Sequence, residues 1–133
     1  MELVILVTCL ALIQYTYFSA SVGMARKKYG VRAPAMSGHP VFERHLRVQQ
    51  NTLEQLMLFI PAEFMFAWSA DNLQWFGSEI AAALGVVWII GRGLYARSYV
   101  KEPLSRGPGF LMTFFPSMLM IIGSLIAVFA SLL

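Results

Sequence analysis

Between Phe42 and Leu56 the chain reads FERHLRVQQNTLEQL and then enters the apolar run MLFIPAEFMFAWSA. Wound as a helix, Arg47, Asn51 and Glu54 stand at i, i+4 and i+7 and share one face, with Glu43 and Gln50 flanking it. Such a face offers a forked donor for a carboxylate, an acceptor for an amine, and an amide that does both. Glu54 sits where the apolar run begins. An ionised carboxylate turned toward lipid is costly, so the face must look into protein or a water-filled cavity. Taken alone, it suits an ion network that ties helices together as well as it suits a ligand site. A second stripe tips the balance toward a ligand. Arg92, Tyr95 and Tyr99 are spaced i, i+3, i+7 on a later helix, near the same basic end of the molecule. Tyrosines at a membrane interface are commonly an anchoring belt, but these two are aligned with an arginine and face the first stripe. Together the groups suit a small zwitterionic ligand with extra carboxylates. Arg106 stands just before Gly107 and Pro108, at the start of a further helix whose free N–H groups also favour an anion. Positive charge at such a place lowers a thiol pKa from about 8.5, so a ligand thiol held there is pushed toward thiolate. Standing alone, Arg106 would read as one more basic loop residue.

The elements that position these residues follow from composition. Of 133 residues, 58% are hydrophobic and 13% charged, too few charges to coat a soluble domain of this size. Long charge-free runs make lipid the solvent. The net charge of +3 could suggest nucleic acid, but all ten Lys and Arg fall between Arg26 and Arg47 or between Arg92 and Arg106. Two basic clusters of that kind fit membrane orientation rather than a DNA footprint. The single cysteine, Cys9, permits no internal disulfide or cysteine-based metal cluster, and within its apolar run it reads as a small buried hydrophobe.

Four spans are expected, over residues 3–24, 41–69, 75–99 and 107–132, in one all-α membrane domain covering residues 1–133. The first run lacks the basic start of a cleaved signal peptide and exceeds the usual apolar core of roughly 7–15 residues, so it reads as a retained span. Gly30, Pro34, Gly38 and Pro40 punctuate the first basic loop, ADNLQ forms a short polar turn, and KEPLSRGPG forms the second basic turn. Pro61 and Pro116 are expected to kink the second and fourth helices. Four spans in an up-down bundle put both basic loops on one side, the cytoplasmic one, and both termini with the Asp71 turn on the other. His39 and His45 have no carboxylate-histidine spacing of a metal site, so no metal is expected. Glu63, deep in the second helix, is expected to meet a structural partner on a neighbouring helix. No Gly-rich phosphate loop or nucleophile elbow is present.

The run FERHLRVQQNTLEQ resembles the signature of the membrane-associated proteins in eicosanoid and glutathione metabolism, the MAPEG family. The pattern is filled here by Glu43-Arg44, Arg47, Gln49, Asn51 and Glu54, and RGLYARSYVKEPLSRGPG extends the similarity along the chain. The branch it resembles holds microsomal glutathione transferase and cysteinyl-leukotriene synthase. The resemblance implies a homotrimer with a glutathione site between subunits, glutathione as co-substrate, and lipophilic electrophiles or hydroperoxides arriving from the membrane. It further implies that Arg26, Arg47, Gln49, Asn51, Glu54, Tyr95 and Tyr99 contact glutathione, with Arg92 beside the tyrosines, and that Arg106 stabilises the thiolate. Three departures weaken the case for leukotriene chemistry in particular: Gln55 directly after Glu54, the proline delayed to Pro61, and Lys27 where a second arginine is usual. The implied activity is therefore a general glutathione transferase or peroxidase. Two other classes stay open beside it, a non-catalytic lipid-binding scaffold of the same family and a small four-span drug transporter. The transporter is disfavoured because the first span carries no carboxylate beyond Glu2 at its end.

Overall fold

The computed structural model describes residues 1–133. Four helices, α1 (Glu2–Tyr29), α2 (Pro40–Asn72), α3 (Gly77–Lys101) and α4 (Gly107–Leu132), account for nearly the whole chain, with a single 3-10 turn over Pro103–Arg106. Contacts between them run antiparallel: Thr8 meets Glu63, Gln49 meets Tyr15, Arg44 meets Val100, and Gly109 lies against Tyr95. Helices α2 and α3 pack against each other and against both flanking helices, so α1 and α4 sit at opposite edges of a four-helix, up-down bundle. The segments Glu2–Tyr29, Gly77–Lys101 and Pro103–Leu132 are each long and apolar enough to cross a membrane. The 33 residues of α2 are longer than any of these helices, but its polar stripe dilutes its hydropathy. Outward faces are hydrocarbon-like: Ile13, Met57, Leu119 and Ile126 are more than half exposed. The protein is an integral membrane helix bundle.

Helix α4 matches the span read from the sequence, whereas α1 and α2 outrun theirs and α3 is shifted by two residues, each for a local reason. The basic residues Arg26, Lys27 and Lys28 form the last turn of α1, where positive charge complements the helix dipole, and Gly30 ends it in the left-handed region at φ 68°. His39 caps α2, its Nδ1 accepting from the Val41 N–H at 3.2 Å, with Pro40 opening the first turn. At its far end α2 absorbs Ala70–Asn72, which the sequence suggested were turn. The reversal is confined to Leu73–Phe76, with Gln74 and Phe76 at positive φ. Trp75, expected inside the third helix, lies in this turn because α3 begins at Gly77, which sits against the backbone of Ala67 and Asp71. Asp71 closes the turn: its carboxylate accepts from the Ser78 N–H at 3.0 Å and from the Ser78 hydroxyl. Pro61 and Pro116 lie inside helices that continue through them.

The interior is built from small residues and stacked rings. Phe59 and Trp88 are fully buried and stack at 4.5 Å between ring centroids, surrounded by Val4, Ala11, Ala62 and Met120. Glu63 is fully buried within this core, its Oε2 2.8 Å from the Thr8 hydroxyl of α1, a partner of the kind expected. Cys9 departs from expectation. It is exposed on the outer face of α1, because its neighbours Thr8 and Ala11 take the inward positions. Two glycines let α4 approach α3 closely: a Cβ at Gly109 would collide with the backbone N and Cα of Tyr95, and one at Gly91 would lie 2.6 Å from the Met112 Cβ. Backbone contact this close draws the start of α4, and so Arg106, up to the tyrosines of α3.

Overpacking at that crossing should be costly. We expect Gly109→Ala to destabilise the bundle by about 1–3 kcal/mol in thermal unfolding in detergent. Gly23→Ala, at a helical site with no neighbour within 4 Å, should be neutral or stabilising. Asp71 supplies a pH test outside the spans. The Ser78 hydroxyl, then the Ser78 N–H, hold its carboxyl below the usual carboxylate range. Its contribution should therefore be fully present above the unfolded value of about 3.9 and fade as pH drops through the lower folded value. Asp71→Asn should flatten that acid limb of a melting-temperature profile.

Candidate functional site

Helix α2 enters the bundle at its basic end, where its stripe faces α3 and α4. Arg47 Nη1 lies 3.2 Å from Glu54 Oε1, and Asn51 Nδ2 donates to Glu54 Oε2 at 3.2 Å. The carboxylate is thus held between a guanidinium one turn above the amide and the amide itself, as i, i+4, i+7 spacing requires. Both members of the ion pair are about half exposed, at 47% and 55%, so the pair orders the stripe more than it stabilises the fold. The network that crosses between helices is a different one. Arg92 of α3, fully buried, points both terminal nitrogens at Asn51 Oδ1 at 3.0 Å and donates from Nη2 to Thr52 Oγ1 at 2.8 Å. Its guanidinium carbon also lies 4.2 Å from the Tyr95 ring centroid. With its carbonyl oxygen occupied by Arg92, Asn51 keeps its amide nitrogen turned toward Glu54.

A cavity of about 330 Å³ opens beside this stripe, lined by Arg47, Asn51, Tyr95, Tyr99, Arg106 and Phe110. Three helices and the 3-10 turn contribute, each for a traceable reason. Tyr95 and Tyr99 stack at 5.5 Å, one turn apart on α3. Arg106 ends the 3-10 turn and places its guanidinium carbon 5.9 Å from the Tyr99 ring centroid. That turn is anchored from below: Arg44 Nη1 donates to the carbonyls of Val100 and Lys101, each at 3.0 Å, tying the last turn of α3 to α2. Chemically, the cavity presents two guanidinium groups, an amide and two phenols around one apolar ring, with a carboxylate adjoining. It suits a polar ligand with several carboxylates and one amine.

Of the residues singled out in the sequence, five come together on the cavity wall: Arg47, Asn51, Tyr95, Tyr99 and Arg106. Glu54 adjoins them through its bonds to Arg47 and Asn51. Arg92 stands behind the wall, its guanidinium held against Asn51 and Thr52 of α2. Gln49 and Arg26 lie on a different edge of the bundle. Gln49 Nε2 donates to the Tyr15 hydroxyl at 2.7 Å, between α1 and α2. Arg26 donates to the Ala35 carbonyl and sits 4.6 Å over the Phe42 ring. Thr52, Arg44 and Phe110 were not flagged by the sequence. Thr52 and Phe110 pass as ordinary helix residues until α3 is packed against them, whereas Arg44, fixed in the quoted pattern, carried a signal with no role attached. No group of three or more His, Cys, Asp and Glu comes together to hold a metal ion.

The chain is similar in sequence to several known proteins. The chain is 44% identical over 123 residues to an uncharacterized protein of Synechocystis, covering 92% of this chain and 85% of that one. It is 39% identical over 107 residues to human microsomal glutathione S-transferase 2, covering 80% and 69% of the two chains. Bovine leukotriene C4 synthase is 33% identical over 100 residues, covering 75% and 63%. The model of the MAPEG family matches residues 4–126, nearly the full length of the bundle, and the chain belongs to that family.

Proposed function

We propose that this protein is a membrane-bound glutathione transferase, with glutathione bound in the cavity between α2, α3 and α4 and its thiol ionised by Arg106. The observation that carries the reading is the convergence of Arg47, Asn51, Tyr95, Tyr99 and Arg106, distant in sequence, on one 330 Å³ cavity. Two guanidinium groups match the two carboxylates of the tripeptide, and Glu54, beside the wall, matches its amine. Arg106 supplies positive charge at the start of α4, where the helix dipole adds to it. The thiol proton leaves to water. The sulfur then attacks an electrophilic carbon and displaces its leaving group, or attacks the terminal oxygen of a hydroperoxide. In the second case the O–O bond breaks to give glutathione sulfenic acid and an alkoxide, which takes a proton from water to become the alcohol. A second glutathione then converts the sulfenic acid to glutathione disulfide and water. The names of the relatives support transferase chemistry in general and leave the electrophile open.

The position of Gln49 and Arg26 supports an assembly as well. Both lie on the α1–α2 edge, away from the cavity of their own protomer. In a homotrimer that edge meets the α2–α3–α4 face of the next copy, bringing Gln49 and Arg26 to the neighbour's ligand and shielding both polar stripes from lipid. The basic loops face the cytoplasm in this arrangement, by the asymmetry of Lys and Arg, so glutathione enters from water while the electrophile enters from the bilayer.

Thiolate absorbance on adding glutathione to the purified protein tests binding and ionisation together. We expect Arg106→Ala to keep glutathione affinity within a few-fold while the thiolate signal disappears and kcat falls by about 100-fold. Full activity in that variant would overturn the mechanism, and binding without any thiolate in the parent would mark a non-catalytic scaffold. Arg92→Lys keeps the charge but not the fork that holds Asn51 and Thr52. It should lower stability by about 1–3 kcal/mol and raise the glutathione Kd, with the thiolate pKa of the bound ligand unchanged.

A further inference from the structure

A second and larger cavity, about 430 Å³, lies on the opposite side of α3, in a groove between α1 and α3 floored by α2. It uses no residue of the proposed glutathione site. The groove is polarised along its length. At the basic end it is bordered by His45, Arg97 and Lys101, and below them its walls are Phe18, Val48, Ala96 and Val100. Gln14 closes its deep end, bonded through Nε2 to the Ile89 carbonyl at 2.9 Å. Gly93 leaves the wall open there: an added Cβ would meet nothing nearer than Gln14 Nε2 at 3.6 Å.

Two features of this groove are unexplained by the fold alone. Arg97 and Lys101 are i, i+4 neighbours of like charge, which is unfavourable on a helix, and neither has a carboxylate within 4 Å, since the chain's ion pairs are Met1–Glu2 and Arg47–Glu54. No acidic residue lines the groove at all. Beyond Gln14, helical spacing continues the same two faces as hydrocarbon: Leu6 and Leu10 on α1, Val86 and Ile90 on α3, all exposed. Cations at the level of the basic loops, with an apolar trough leading from them toward the bilayer centre, have the polarity of a phospholipid lying in its own leaflet. In the trimer proposed above, the α1–α2 edge and the α2–α3–α4 face are the ones covered, which leaves this groove open to lipid.

We propose that the α1–α3 groove is a binding site for an anionic phospholipid of the surrounding bilayer, with its phosphate on Arg97 and Lys101 and one acyl chain along the trough past Gly93. His45 borders the same headgroup position from α2. The site gives the protein a preference among the lipids it meets, separate from the chemistry in the other cavity.

Reconstitution of the full chain in phosphatidylcholine bilayers, with spin-labelled phosphatidylglycerol or phosphatidylcholine as probe, reads that preference as the motionally restricted fraction. Two cations near the surface should favour the anionic probe by up to roughly thirty-fold. Arg97→Gln with Lys101→Gln should abolish the preference, while Lys27→Gln with Lys28→Gln, which removes two charges outside the groove, should keep it. Gly93→Leu leaves every charge in place and fills the trough, and it should also release the lipid. Equal loss in the Lys27 and Lys28 variant, or full preference in Gly93→Leu, would reduce the effect to general surface attraction and overturn the site. Displacement of the lipid by inorganic phosphate at low millimolar concentration would do the same, by showing a phosphate site that has no use for the chain.

Discussion

A guanidinium with no exposed surface, inside a bundle whose outer faces are hydrocarbon, depends on acceptors supplied by the protein itself. Arg92 turns both terminal nitrogens to Asn51 and one of them also to Thr52, leaving only its Nε without a partner. Much else depends on this bond. It fixes the rotation of α3 against α2, which in turn puts Tyr95 and Tyr99 on the same side as Arg47 and Asn51. The tyrosines then give the start of α4 a surface to approach, and Gly109 makes the approach close enough to bring Arg106 beside Tyr99. A polar interaction within the bundle, rather than the apolar core below it, sets the geometry of the cavity.

The bundle divides its polar groups by depth. At the basic end, two cavities open on opposite sides of α3, one lined by phenols, an amide and arginines, the other by apolar walls under a cationic rim. Toward the other end the buried polar groups are mainly Glu63, bonded through one oxygen to Thr8, and serines such as Ser117 and Ser124 that bond back to their own helix. Asp71 closes the reversal between α2 and α3 from outside the core. Exposed Trp68 and Trp75 stand near this second end, as aromatic side chains do where a membrane meets water. The chemistry is concentrated in one half of the molecule, and the other half is packing.

Much of this was legible from residue order. The stripe on α2 is a matter of period: Arg47, Asn51 and Glu54 recur at helical spacing, and any helix there brings Glu54 within reach of the other two. The lengths of the apolar runs required four helices, and the clustering of Lys and Arg pointed to one end as basic. Helix ends were less legible, because the dipole lets Arg26, Lys27 and Lys28 continue α1 past its apolar run. The inward or outward sense of Cys9 was not legible at all. An apolar run has no polar face to orient it, and only the packing of Val7, Thr8 and Ala11 against α2 and α3 turns Cys9 outward.

What the sequence determined by itself, then, is whatever depends on neighbours within two helical turns: the spans, the stripes, and the residue types able to hold a zwitterion and a thiolate. Tertiary structure decided which of those residues meet. It put Arg92 behind the cavity rather than on its wall and gave Thr52 and Arg44 roles as anchors. It also sent Gln49 and Arg26 to a different edge from the other members of their own motif. The reason is geometric. Period places a side chain on a face, but which face meets which neighbour is set by how closely two helices can approach, and here that is governed by a few glycines and one buried arginine.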